Sequence, residues 1–165
     1  MADSGTDGKA AAPAGPPNLS VVAQYVKDLS FESPGAPQSL GPRQKPPQIN
    51  ISIGVQSTQV AQDRFEVELK IDAQAVDGET IVFNTELVYA GVFALTNIPA
   101  EQIRPVALIQ CPALLFPFAR QVVSDATRNG GFPPLLIDPV DFLQIYRQQM
   151  EGEQKTGAAG RPTIV

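Results

Sequence analysis

The chain of 165 residues has no histidine, no tryptophan, one cysteine and two methionines. Without histidine there is no Ser-His-Asp triad, no Cys-His pair and no imidazole metal ligand. A single cysteine, Cys111, excludes an intramolecular disulfide framework, cannot build the usual structural zinc site and fits a reducing compartment. It sits beside Pro112 in an apolar stretch and reads as a buried, inert thiol rather than a nucleophile. Clustered cations are missing as well. Twelve Lys and Arg face 17 Asp and Glu, for a net charge of −5 and a pI near 4.6. Nucleic acid is therefore not expected as a partner, because neutralising phosphates takes grouped cations; a basic protein surface suits this charge better. No uninterrupted apolar run approaches the roughly eighteen residues that cross a bilayer. The opening ADSGTDGKA has neither a basic start nor an apolar core, so no signal peptide is expected. Direct membrane insertion is thus not expected either, and the cytoplasm is the expected compartment. Gly130-Gly131 runs into Phe-Pro-Pro instead of a lysine-bearing helix, which excludes a phosphate-binding loop. Asp72, Asp77 and Glu79 lack the spacing of a calcium loop and read as a solvated acidic edge. Neither a cofactor nor an enzymatic reaction is expected.

What the chain does have is apolar surface. Gln110 to Ile137, QCPALLFPFARQVVSDATRNGGFPPLLI, is its greasiest part. Leu115, Ala119, Val122 and Ala126 recur at helical spacing, with Leu114, Phe118 and Val123 widening the stripe. Pro112 suits a first helical turn, whereas Pro117 is expected to kink or restart the helix at a cost of roughly 3 kcal/mol. Arg128 and Asn129-Gly130-Gly131 form the stop. An apolar arc this wide needs more cover than one short sheet supplies, so burial against a second copy of the chain is expected.

Around that helix the pattern reads as strands. Val21, Ala23, Tyr25, Leu29 and Phe31 suggest a first strand between Ser20 and Phe31, with Val22 and Val26 on its other face. Ser33 to Pro47 carries five prolines and is read as a crossover loop without regular structure. Ile49, Ile51, Ile53 and Val55 alternate with polar residues, as do Phe65 to Ala75, which is the signature of an antiparallel sheet with one covered face. Asp77-Gly78 marks a hairpin into a fourth strand, Thr80 to Ala90. The segment after Gly91 reads as a loop leading to helix, and Asp138-Pro139 as the opening of a short last helix bearing Phe142, Ile145, Tyr146 and Met150. The fold class is α+β: a four-stranded antiparallel sheet carrying a long, proline-interrupted helix and a short C-terminal one. Residues 1–18 read as a disordered arm, 19–150 as the domain and 151–165 as a flexible tail.

CPALLFPFAR, RNGGFPPLLIDPV and, earlier, VKDLSFESPGAP resemble the SecB family of bacterial protein-export chaperones, over roughly Val21 to Met150. The resemblance implies a homotetramer, a dimer of dimers whose helices pack across its centre. It implies binding of unfolded, export-destined precursors and their delivery to the SecA motor; the sequence offers no nucleotide site, so no use of ATP is expected. By that resemblance, Asp28, Glu32 and Glu86 correspond to the acidic docking surface for SecA. Ile51, Ile53, Tyr146 and Met150 correspond to apolar positions lining the client groove, which Phe31 and Phe83 extend. The tail here is not strongly acidic, so the pattern gives no support for a SecA contact through it. The alternative reading from residue chemistry is a structural or adaptor homo-oligomer whose apolar surface is all subunit interface.

Overall fold

A computed structural model describes residues 15–159, with side chains through Thr156. The rest of the expected arm and tail, residues 1–14 and 160–165, lies outside the described residues. Four strands, β1 (Asn18–Glu32), β2 (Gln48–Ala61), β3 (Arg64–Asp77) and β4 (Thr80–Thr96), form one antiparallel sheet in the order β1-β4-β3-β2. The α+β class and the four strands expected from alternation are present. The strands run longer than the pattern suggested. Val92–Thr96, read as loop, continue β4, because Phe93 and Leu95 keep its inward parity and are buried with Leu87 and Tyr89. The β3–β4 hairpin turns at Gly78, whose φ of 62° is the left-handed value such a turn requires.

The sequence reading of β1 needs correction. Irregularities between Val21 and Ala23 and between Val26 and Asp28 change which residues share a face. Val21, Val26, Leu29 and Phe31 lie opposite Phe93, Tyr89, Leu87 and Thr85 on the inner side. Tyr25 lies outside, where its hydroxyl donates to Glu66.

The helical layer starts earlier than expected. α1 (Ala100–Pro105) passes through a π-helical turn, Val106–Gln110, into α2 (Cys111–Asn129). The expected break at Pro117 is not where the irregularity lies. It lies just before Pro112, where the Cys111 N–H reaches back five residues to the Val106 carbonyl. A proline ring crowds the carbonyl four residues earlier, and a wider turn there takes up that strain. The joined helix Ala100–Asn129 is long and apolar enough, by length and composition, to cross a membrane, although polar residues interrupt its apolar run. Here it packs on the sheet: Cys111, Leu115, Ala119 and Val123 are fully buried over Leu69, Ile71, Leu87 and Phe93. Leu115 comes so close to Gly91 that an added Cβ would sit 2.8 Å from its methyl. α2 ends as expected. The N–H of Gly130 donates to Ala126 and that of Gly131 to Arg128, and Gly131 turns left-handed at φ 87°.

Thr127, fully buried, ties the next segment down. Its hydroxyl accepts from the Leu135 N–H at 2.9 Å and donates back to the helix at Ser124. Ile137 and Phe142 then both enter the core, which keeps the chain extended past Asp138-Pro139. The cap of the last helix is therefore Asp141, whose carboxylate accepts from the N–H groups of Leu143 and Gln144. That helix, α3 (Phe142–Ala159), runs on past Met150, so part of the expected tail is helical.

Burial of Cys111, at the start of α2 and packed on the sheet, raises its thiol pKa to about 12, from 9.0. Two outcomes follow. Gly91→Ala destabilises by about 1–3 kcal/mol through overpacking against Leu115 and Phe93. Gly54→Ala, which meets nothing within 4 Å, does not; paired urea titrations read the difference. Cys111 resists alkylation in the native protein from pH 7 to 9 and reacts once denatured. The raised folded pKa adds stability below pH 9 that is lost as pH climbs toward 12, which denaturation midpoints at high pH check.

Candidate functional site

The joined helix covers the two central strands and leaves the inner faces of both edge strands open. On β2, Ile49, Ile51, Ile53 and Val55 lie opposite Ala75, Ala73, Ile71 and Leu69, so all four share the helix side of the sheet. Ile51 is 41% exposed, Ile53 is half-buried and Val55 is buried. This stripe joins two hollows. At its start, a cavity of about 440 Å³ is bounded by Ile49, Phe83, Phe132, Leu40 of the crossover loop and Pro133-Pro134. At its end, one of about 910 Å³ lies among Val55, Phe65, Ile103, Ala107, Leu108 and the α3 residues Gln149 to Thr156.

α3 is tethered along this edge. Gln149 Nε2 donates to the Val55 carbonyl at 3.1 Å, and Arg104 pairs with Glu153 at 2.6 Å. Tyr146 and Met150, both half-buried, lie within one turn of that anchor, and Tyr146 packs against the main core. The structure thus places Ile51, Ile53, Tyr146 and Met150 at one edge of the molecule. Phe31 and Phe83 sit elsewhere. They form a three-ring cluster with Phe132, with centroids 5.0–6.4 Å apart, and Phe83 is only 4% exposed. Phe83 lines the smaller cavity, while Phe31 packs under Gly130. Ile49, Val55 and Leu108 extend the apolar surface beyond the residues singled out in the sequence; the alternation of β2 carries the signal for the first two.

The opposite, outer face of the sheet is acidic. Glu86 lies across from Ser30 of β1, with Asp28 and Glu32 two residues to either side, so the three carboxylates share one patch. None of them has an ion-pair partner among the described residues. Asp72, on β3, is in register with Glu86 and joins the patch, 3.6 Å from Lys70. The sequence alone groups it with Asp77 and Glu79 at a hairpin edge. The register separates it from Asp77, which pairs with Arg43 of the crossover. Further along, Glu66 and Glu68 are bridged by Lys27. The hydrogen bond from Lys27, then that from Tyr25, holds the Glu66 carboxyl below its usual range, and the same carboxylates hold the Lys27 ammonium above its own. No group of three metal-ligating side chains occurs among the described residues.

A second exposed apolar patch lies on the other flank. Phe118 (52% exposed) stacks near Tyr89 at 6.5 Å, beside exposed Val26, Leu29 and Leu114. These are the α2 residues that widened the apolar arc in the sequence.

The family model for the preprotein translocase subunit SecB matches residues 12–153. The chain is 54% identical over 161 residues to the protein-export protein SecB of Bradyrhizobium sp. strain BTAi1, covering 96% of this chain and 99% of that one. It is 58% identical over 142 residues to the same-named protein of Brucella ovis, covering 86% and 87%. Among solved structures, the fold is similar to the Rv1957 SecB-like chaperone of Mycobacterium tuberculosis, solved with a ChAD peptide from an antitoxin. The TM-score is 0.58 at 16% identity, over 74% of this chain and 90% of that one. With a family model matching most of its length and relatives at this identity, the chain belongs to the SecB family of protein-export chaperones.

Proposed function

We propose that this protein works in the cytoplasm, without ATP and without catalysing a reaction. It holds unfolded, export-destined precursors in an unfolded state and passes them to the SecA motor. The observation that carries this reading is the open stripe Ile49-Ile51-Ile53-Val55 between two hollows. At about 3.3 Å per residue it spans about 20 Å, the length of six extended residues. A client strand laid along it buries alternate side chains, and half-buried Met150 adapts to their varied shapes. Tyr146 closes the same edge from α3. The Phe31–Phe83–Phe132 cluster supports the wall of the smaller hollow.

The flank formed by β1 and α2 suits self-association, as Leu114 and Phe118 stand out of a helix whose opposite face is already buried. We assign it to the subunit contacts of a homotetramer, a dimer of dimers. Several stripes per assembly then hold one long client through effective concentration, with no new contact required. The outer carboxylates Asp28, Glu32 and Glu86, free of cation partners among the described residues, suit a basic surface of SecA, and Asp72 adds to their field. Handover proceeds by competition for the client. A structural or adaptor oligomer, the second reading, uses the β1–α2 flank alike but has no use for an open β2 stripe.

Two sets of variants separate these surfaces. Ile51→Ser with Ile53→Ser weakens suppression of aggregation of an unfolded precursor by about tenfold or more, from the apolar area withdrawn. Asp28→Lys, Glu32→Lys and Glu86→Lys together weaken SecA binding, most at low salt, and leave client binding unchanged. Static light scattering of the precursor and titration with SecA read the two effects. Wild-type protein that fails to hold back aggregation at stoichiometric amounts refutes the chaperone reading, and equal loss of client and SecA binding in the charge variants refutes the docking assignment.

A further inference from the structure

Resting on the reading of the β2 stripe as the client surface, we infer that Gln149 is a placeholder for the client's backbone. Its carboxamide holds the Val55 carbonyl while the stripe is empty, and a peptide N–H of an extended client takes that carbonyl over. The stripe thereby reads extended main chain as well as apolar side chains.

β2 is an edge strand, paired with β3 on one side only. Such a strand presents backbone groups that no neighbouring strand takes up. The stripe ends at Val55, on the wall of the larger hollow, and Gln149 lines the same wall. A part-buried carbonyl there needs a donor, and Gln149 Nε2 supplies one at 3.1 Å. Among the described residues this is the only hydrogen bond from a side chain to the backbone of Ile49–Val55. Gln59, a second amide on this wall, donates instead to its own turn at Gln62.

A glutamine carboxamide and a peptide N–H are both neutral amide donors. Exchanging one for the other at the same carbonyl keeps the hydrogen bond and desolvates no charge. The surroundings confine the change to one side chain. About one turn earlier in α3, Tyr146 packs against the main core, and about one turn later Glu153 is held by Arg104 at 2.6 Å. The helix is therefore anchored on both sides of Gln149, while the hollow of about 910 Å³ gives the released carboxamide room to turn. An extended client brings a peptide group about every 3.3 Å, so any segment free of proline carries the required donor past Val55. Ile49, Ile51, Ile53 and Val55 have no polar side-chain atoms, so a main-chain contact at this end adds hold without narrowing the range of clients.

The test follows the Gln149 side-chain amide by NMR in the full chain. The probes are a short peptide from an unfolded precursor and the same peptide N-methylated at every interior residue. Saturation with the parent peptide moves the Gln149 amide protons to the shifts of a free carboxamide and speeds their exchange with water; the methylated peptide leaves them in place. Gln149→Met, which has no donor, and Gln149→Asn, one methylene short of the carbonyl, each tighten the parent peptide about two- to tenfold, the worth of one neutral hydrogen bond no longer broken on binding. Neither tightens the methylated peptide. A residue that merely tethers α3 gives the opposite sign, so weaker or unchanged binding of the parent peptide in both variants overturns the placeholder. An equal gain for both peptides overturns it as well. Peptide binding with an unmoved Gln149 amide removes the placeholder alone, whereas wild-type protein that binds neither the peptide nor the whole unfolded precursor refutes the chaperone reading and the placeholder with it.

Discussion

The structure depends on one packing event: α2 lies chiefly over β3 and β4. Leu115 and Ala119 enter the seam where Gly91 lets the helix approach, and Leu69, Ile71, Leu87 and Phe93 close beneath them. A helix about 10 Å across covers roughly two strands spaced 4.8 Å apart, so a four-stranded sheet beneath a single helix must leave both flanks uncovered. The chain fills neither flank completely. On the β2 side it lays mainly α3, tethered at Gln149 and Glu153, and on the β1 side only the end of α2 and Phe132, over Phe31. Apolar inner residues on both edge strands then follow from geometry. They are not a defect of packing.

The two faces of the sheet are separated by the same alternation. From Ile49 to Val55 and from Phe65 to Ala75, odd-numbered residues point to the helix and are apolar, while even-numbered residues of β3 carry Glu66, Glu68, Lys70 and Asp72 outward. The apolar stripe and the carboxylate patch therefore lie on opposite sides of a single layer, so a molecule bound to one does not sterically exclude a molecule bound to the other. The charge is also sorted along the outer face. Lys27 offsets one of the two charges of Glu66 and Glu68 at one end, and Asp28, Glu32 and Glu86, unpaired among the described residues, leave the field concentrated at the other. A basic partner would feel a patch rather than a uniformly acidic sheet, and steering by such a patch is screened within about a Debye length.

Much of this was legible from the residues. The alternation of β2 and β3 fixed which side each side chain takes, and Asn129-Gly130-Gly131 marked the stop of α2. The width of the α2 arc announced the patch at Leu114 and Phe118. Other features were hidden for physical reasons. The end of β4 was misread because Gly91, a turn former by habit, serves there as the gap into which Leu115 packs. The true cap of α3 was missed because Asp138-Pro139 has the better local signal, and only burial of Ile137 and Phe142 selects Asp141 instead. The π turn before Pro112 has no periodic signature, since it is a response to the proline ring and to the demand that Cys111 and Leu108 both face inward. The large cavity could not be read from β2 alone, because half of its wall comes from α1, the π turn and α3, far away in the chain.

β1 shows how one strand can serve both surfaces. Tyr25 faces outward to Glu66. With strict alternation from that point Leu29 and Phe31 would also face outward, and Asp28 and Glu32 would be driven under the helix layer. The irregularity between Val26 and Asp28 inserts Lys27 as an extra residue and reverses the parity. Leu29 and Phe31 turn in, opposite Leu87 and Thr85, while Asp28 and Glu32 turn out beside Glu86. A bulged residue loses regular pairing and must be held some other way, and Lys27 is held by two carboxylates of β3. The ion triad on the outer face and the apolar cluster on the inner face are therefore consequences of one inserted residue. A side chain unable to reach Glu66 and Glu68 from position 27 would leave the bulge without its anchor, and with it the sorting of acid from apolar side chains along β1.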